Sequence, residues 1–166
     1  NLGQLLHVVV REGPVNLTLT LYAPDGARLL TSPPGGLWFE HLLAVVAKAP
    51  GDYRLDAQAS ESPRWAKGSY QLGVSELLIA GDVEQRRAEA VRLMLEGRVL
   101  MRQQPGSEPA SRQADAKFED ARTLFQAAGD LHGESLALDE QGRNAALELH
   151  QERRGLDYLN QALSNW

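Results

Sequence analysis

The segments ADAKFEDA, residues 114–121, and GLDYLNQA, residues 155–162, share one arrangement of small and large side chains. Each has a small, a large and a second small residue at positions i, i+4 and i+7: Ala114, Phe118 and Ala121 in the first, Gly155, Leu159 and Ala162 in the second. These positions share one face of an α-helix, where small residues let a neighbouring helix approach closely. A glycine lies on the preceding helical segment in both cases, Gly97 and then Gly142. The pattern predicts a repeat of two packed helices.

Helical periodicity extends over residues 82–166. The period of the apolar residues changes from 2 to 3.6 near residues 80–81, and Asp82 followed by Gln85 is typical of a capping box. Gly129 suits the position after a helix, and Asp130 suits the N-cap of the next one. We predict four helices: one over 82–102, one over 111–128 after a loop at 104–110, one over 131–149, and one after a short break at 152–154.

Residues 1–78 have the patterns of β-structure. Over residues 15–22, Leu17, Leu19 and Leu21 alternate mainly with polar residues, and this period of 2 is typical of a half-buried strand. Other strands are predicted around Leu6, Val8 and Val10, at 27–30, at 37–47 with Leu43, Val45 and Ala47 facing inward, around Tyr53, Leu55 and Ala57, and around Tyr70, Leu72 and Val74. Turns or loops separate them at residues 13–14, 24–26, 32–36, 50–51 and 60–67.

The two halves together predict the α+β class with two segregated domains. Several short strands at regular spacing favour an antiparallel β-sandwich or jelly roll over residues 1–78. An α-α repeat of about four helices follows over residues 82–166.

Composition and charge exclude several kinds of site. The 166 residues include no cysteine, which removes disulfides, thiolate nucleophiles and cysteine zinc sites. The net charge is -5, so the chain is a poor match to nucleic acid or to an anionic membrane surface. No run approaches the roughly 18–20 apolar residues of a membrane helix, and membrane insertion is not expected. Because the chain does not start with Met and its last helix has no stop signal, we expect it to be a piece of a longer protein.

The helical half resembles tetratricopeptide repeats, in the longer form of about 40 residues found in kinesin light chains and in many bacterial arrays. The resemblance covers residues 83–166 and rests on the two triplets, their preceding glycines and the linking stretch FQAAGDLHGESLAL at 125–138. The chain departs from the pattern in an enlarged loop at 103–110, in Gly155 where alanine is usual, and in one extra residue between Gly142 and Gly155. We therefore expect the second helix pair to be atypical, with a loosely held last helix.

The β half resembles the bacterial pre-peptidase C-terminal domain, a small jelly-roll module of secreted proteins. The resemblance rests on LTLYAPDG at 19–26, PGDYRL at 50–55 and GSYQL at 68–72. A jelly roll followed by such repeats is similar to the N-terminal part of bacterial CHAT-domain proteins, in which a caspase-like peptidase domain comes next. The resemblance implies a non-catalytic scaffold, periplasmic or secreted rather than cytoplasmic, and a downstream catalytic domain in the same chain.

The resemblance to the repeats also implies where a partner binds. In such repeats the first helix of each pair lines a concave groove that takes a protein or peptide. The matching positions are Val91, Met94, Arg98 and Met101 on the first helix, and Leu136, Asp139 and Arg143 on the third. Exposed Met and Val near Arg suit adaptable peptide binding. In the alternative, Met94 and Met101 pack on the β domain instead.

No motif predicts catalysis, a cofactor or a metal. The His-x-Glu sequences at His132 and His150 lack the Cys-x-x-Cys of a zinc deaminase, so both histidines are expected to be solvated helix residues. The spacing of Asp25, Asp52 and Asp56 matches no calcium loop. A triad of distant residues is recognised by its geometry, and the sequence leaves that question open.

A carbohydrate-binding module is the alternative function. Tyr22, Trp38, Phe39 and Trp65 can form an aromatic platform on the sandwich. The competing interpretation, which we favour, places Trp38 and Phe39 in the core, because aromatic side chains are chiefly core material. The sequence thus favours a non-catalytic interaction region over a sugar-binding one.

Overall fold

The computed structural model describes residues 2–13, 15–34, 40–59 and 68–165, apart from the side chains of residues 75–78. The chain divides into two compact units, Asn1–Gly81 and Asp82–Trp166. The described part of the first unit forms these strands: β1 (Gln4–Glu12), β2 (Leu17–Tyr22), β3 (Arg28–Ser32), β4 (Glu40–Val46), β5 (Arg54–Ala59) and β6 (Tyr70–Ile79). The second unit has these helices: α1 (Asp82–Gln103), α2 (Glu108–Ala127), α3 (Leu131–Arg143) and α4 (Glu152–Ser164), with a π-helical turn at Asn144–Glu148 between the last two.

The first unit consists of two antiparallel three-stranded sheets, with strand orders β4-β1-β6 and β3-β2-β5. The predicted alternation holds in β2, where Leu17, Leu19 and Leu21 are buried and the residues between them are half-buried. Val8 and Val10 supply buried side chains from the other sheet. Sheets with one buried row each stack with those rows inward. The predicted α+β class, with a β-sandwich before a helical repeat, is confirmed.

Strand β4 differs from its prediction. It buries His41, Leu42, Leu43 and Ala44 in succession, whereas Val45 is only half-buried. Successive side chains point to opposite faces of a strand, so four buried in a row require cover on both faces. The simple inward alternation of Leu43 and Val45 is therefore wrong.

The remaining strands are displaced by small amounts. In β1 the buried residue near the start is Leu5, and Leu6 is half-buried. Strand β3 begins one residue later than predicted and continues to Ser32. Strand β6 is longer than predicted, and Tyr70 and Leu72 on it are about half exposed, at 52% and 51%. The predicted turn at residue 14 and the loops at 35–36 and 60–67 fall on residues that are not described.

The first helix pair is locked by the predicted contact between a glycine and an aromatic ring. Phe118, Ala114 and Ala121 have no exposed surface. A Cβ atom added to Gly97 would lie 2.5 Å from Cε1 of Phe118, closer than any real contact. Only glycine on α1 therefore admits the Phe118 ring of α2, and the triplet acts as the sequence predicts.

The second helix pair has a corresponding contact between glycine and a large side chain, and here the two backbones also approach each other closely. A Cβ on Gly142 would lie 2.7 Å from Cγ of Leu159, and one on Gly155 would lie 2.8 Å from both the Ala146 Cβ and the Gly142 carbonyl oxygen. Ala146 belongs to the π-helical turn. Position 155 accepts only glycine because this turn and the backbone of α3 occupy the space that a methyl group would need.

Several helix boundaries were predicted wrongly. Helix α2 starts at Glu108 rather than residue 111, because Ser107 caps it and proline is tolerated in a first turn. The third helix does not continue to residue 149, since α-helical geometry ends at Arg143. Helix α4 already begins at Glu152, and the break precedes it. The cap at Asp130, which accepts a hydrogen bond from the Gly133 amide at 2.9 Å, is as predicted.

Candidate functional site

The predicted groove positions are divided between buried and accessible side chains. Val91 and Met94 have no exposed surface, so the prediction that they are exposed is wrong. A large part of the surface of α1 is buried, because α1 packs along α2 and also contacts α3. Met101 on α1 is half-buried, as are the three positions on α3: Leu136, Asp139 and Arg143. The accessible part of the predicted groove is therefore mainly the face of α3.

Arg98, predicted to face a partner, instead pairs with a side chain of the same unit. Its Nε donates to Oε1 of Glu140 at 2.8 Å, and the two side chains are only 6% and 5% exposed. Removing one member of such a buried pair strongly destabilises the folded protein, because the other charge stays buried without its partner. Arg98 thus joins α1 to α3. The two residues are 42 positions apart, and no local pattern in the sequence indicates the pair.

The α3 face carries one loosely paired acid and base. Asp139 Oδ2 lies 3.9 Å from Arg143 Nη1, and both side chains are more than 40% exposed. Burial raises the pKa of Asp139 above its ordinary value, and the nearby Glu140 carboxylate raises it further. Exposed pairs of this type contribute little to stability, on the order of 0–1 kcal/mol. Asp139 and Arg143 can therefore give up their mutual contact and pair with charged groups of a partner at a small cost in free energy.

A polar cleft of about 440 Å³ opens between α2 and α4, and the sequence analysis did not predict it. Its charged and phenolic lining consists of Arg112, Asp115, Glu119, Arg122, Arg154 and Tyr158. The α2 members follow helical spacing, so one face of that helix forms one wall. The α4 members come from 32 or more positions further along the chain. This distance explains why no motif indicates the cleft.

Ion pairs and hydrogen bonds hold the polar side chains of the cleft in place. Arg154 Nη2 donates to Asp115 Oδ2 at 2.9 Å, and Arg154 Nε donates to the Tyr158 hydroxyl at 3.2 Å. Glu119 accepts from Arg122 at 2.6 Å and from the buried Gln141 amide at 2.9 Å. Burial raises the pKa of Glu119, but these hydrogen bonds outweigh burial and leave the pKa below its ordinary value. These donors therefore favour the charged form of Glu119.

A second polar cluster is buried in the sandwich. Ser32 Oγ lies 2.7 Å from His41 Nδ1, and His41 Nε2 lies 2.5 Å from Glu12 Oε1, which also accepts from the Leu17 amide at 2.5 Å. Serine, histidine and acid are linked in the order of a hydrolytic triad. However, Ser32 and His41 have no exposed surface, and Glu12 is only 4% exposed. A substrate cannot reach the Ser32 hydroxyl, so the cluster is structural and links strands of both sheets.

The other candidate residues do not assemble into a site. In the part of the chain that is described, no three His, Asp or Glu side chains are grouped to hold a metal ion. Asp25 accepts from the Ala27 amide within its own turn, at 2.9 Å. His132 is half-buried in α3, whereas His150 lies between helices with φ 54°, so the prediction of a helical His150 is wrong.

Of the four residues in the predicted aromatic platform, the structure describes only Tyr22. Trp38, Phe39 and Trp65 fall on residues outside the described ranges. Tyr22 is half-buried, and the Arg54 guanidinium lies 4.4 Å from the centre of its ring. Arg54 therefore already covers the face that a sugar ring would stack on.

Comparisons with known proteins identify no relative. No helix within the described ranges is both long and apolar enough to cross a membrane. No family model matches the chain, and neither a curated protein nor a solved structure is significantly similar to it.

Proposed function

We propose that the chain is a non-catalytic interaction region of a larger scaffold protein, and that the face of α3 in its helical unit binds a peptide segment of a partner. One observation carries the proposal. The two helix pairs are interlocked by glycine contacts, yet the α3 face keeps Leu136, Asp139 and Arg143 accessible. A rigid pair of hairpins with one accessible, mixed apolar and charged face is suited to recognition by side-chain contact.

The chemistry of the α3 face suggests what the partner presents. Leu136 offers an apolar contact, while Asp139 and Arg143 each offer a charge that is only weakly engaged. A peptide with one apolar side chain flanked by polar or charged groups matches this face. The similarity to CHAT-domain proteins extends the proposal: the partner segment would then affect a peptidase domain downstream in the same polypeptide.

The proposal is tested with peptides selected from a random display library against the whole chain. We expect Leu136→Ala and Arg143→Ala each to weaken binding of the selected peptides at least about tenfold, the size typical of a central interface residue. Arg153→Ala is the matched control, because Arg153 is an exposed helical arginine away from this face. Affinities are measured by isothermal titration calorimetry. Selected peptides that bind all three variants like the parent chain would contradict the proposal.

A further inference from the structure

The cleft between α2 and α4 has the size of a ligand site. Its volume of about 440 Å³ falls within the range of about 300–1,000 Å³ that is usual for such sites. Its walls are α2 and α4, whereas the face proposed above belongs to α3. The two surfaces are therefore tested separately, and neither inference depends on the other.

Hydrogen-bond donors outnumber acceptors in the cleft. Arg112, Arg122 and Arg154 each carry five N–H groups, and the cleft carboxylates Asp115 and Glu119 take up only some of them. Within the described residues, Nε of Arg122 is buried and makes no hydrogen bond. A guanidinium donor left in this condition costs more than a neutral one, so a ligand acceptor here is favoured.

Acceptors that lack donors lie beside these arginines. Oδ1 of Asp115, a lining residue, is buried without a hydrogen bond among the described residues. Oε1 of Gln141 also lacks one, but Gln141 is not part of the lining. A ligand that satisfied this cleft would therefore bring its own N–H groups as well as an anionic group. The lining holds three guanidinium groups and two carboxylates, and Glu108 outside the lining pairs with Arg112 at 2.6 Å. Both side chains of that pair are largely exposed, so it contributes only on the order of 0–1 kcal/mol and a ligand carboxylate can take the place of Glu108. The cleft therefore accepts one added negative charge. That balance suits a monoanion and disfavours a dianion such as phosphate, which Asp115 and Glu119 would repel.

The backbone beside the cleft is also unusual. Leu149 and Gln151 both line it, and His150 between them has φ 54°, a conformation that non-glycine residues seldom adopt. The π-helical turn Asn144–Glu148 comes immediately before them. Turns of this kind and residues with rare backbone angles occur often at functional sites. Both features lie on the same edge of the cleft.

We propose that the cleft between α2 and α4 is a second binding site, which takes an aspartate or glutamate side chain of a peptide. The carboxylate lies among Arg112, Arg122 and Arg154, and a peptide N–H group meets Oδ1 of Asp115. An acidic residue within a peptide supplies a monoanion with amide donors close to it.

Nuclear magnetic resonance of the ¹⁵N-labelled chain tests this site with small defined probes. The probe is Ac-Ala-Glu-Ala-NH₂, and its neutral counterpart is Ac-Ala-Gln-Ala-NH₂. We expect saturable shifts of the Arg122 and Arg154 Nε–Hε signals with the glutamate peptide, at about millimolar affinity for so small a ligand. The glutamine peptide should produce less than about a tenth of these shifts at equal concentration.

Variants decide whether the shifts come from the cleft. Arg154→Gln should weaken the glutamate peptide at least about tenfold, and the more exposed Arg112→Gln should weaken it by about threefold to tenfold. Arg153→Gln, its neighbour outside the lining, should leave the affinity unchanged. If Arg154→Gln fails to fold, Arg112→Gln alone decides, because its side chain is 65% exposed. Equal binding of the two peptides, unchanged affinity in Arg112→Gln, or tighter binding of inorganic phosphate would overturn the proposal.

Discussion

Replacing His41 with leucine should lower the free energy of unfolding of the sheet unit by about 3–5 kcal/mol. His41 donates one of the two hydrogen bonds that Glu12 Oε1 receives, and it links Glu12 to Ser32. Oε2 of Glu12 has no hydrogen-bond partner within the described residues. Without His41 the buried carboxylate would keep only the Leu17 amide, which is too little to offset its lost hydration.

Hydrogen exchange followed by mass spectrometry measures this effect unit by unit. Peptides from β1 and β4 should exchange about 10² to 10⁴ times faster in His41→Leu, since each 1.4 kcal/mol is about tenfold. Adding Glu12→Gln should recover part of the loss, because the amide is neutral and still accepts from Leu17. The control is His150→Asn, an exposed position where asparagine tolerates the same backbone angle. If the double variant is less stable than His41→Leu, the cluster does not hold a buried charge.

Replacing Phe118 with alanine should destabilise the helical unit by about 3–5 kcal/mol. The ring has no exposed surface and fills the space over Gly97 between α1 and α2. Its removal leaves a cavity that two helices with fixed backbones cannot close. Leu159→Ala, the corresponding change in the second pair, should cost less, because Leu159 is only half-buried.

The sign of the stability change caused by Gly97→Ala tests the contact between Gly97 and Phe118 more specifically. In the parent chain the new methyl group meets the Phe118 ring, and we expect a loss of about 1–3 kcal/mol from overpacking. In the Phe118→Ala background the clash is gone, and alanine should stabilise the helix by about 1 kcal/mol relative to glycine. Urea unfolding of the four proteins, followed by far-ultraviolet circular dichroism, gives both values. An effect of the same sign in both backgrounds would mean that Gly97 and Phe118 do not interlock.

The helical architecture was predictable because its determinants are local. The spacing of Ala114, Phe118 and Ala121 fixes one helix face, and the size of Phe118 requires a small residue opposite, which Gly97 supplies.

The candidate surfaces were less predictable, because they depend on contacts between distant residues. Helical spacing placed Val91 and Met94 on one face of α1, but it cannot tell whether another element covers that face. The pair of Arg98 and Glu140 spans 42 positions, and Arg154 meets Asp115 across 39. Such pairs have no local period. They follow only once the helices are assembled.

Mapping a display-selected peptide on the ¹⁵N-labelled chain shows whether the helical unit binds a peptide through the face of α3. We expect the backbone amide signals of Leu136, Asp139 and Arg143 to shift most, in a saturable manner, and Leu136→Ala to reduce these shifts at a fixed peptide concentration. Shifts confined to the strands of the sheet unit, with those of α3 unchanged, would contradict this proposal.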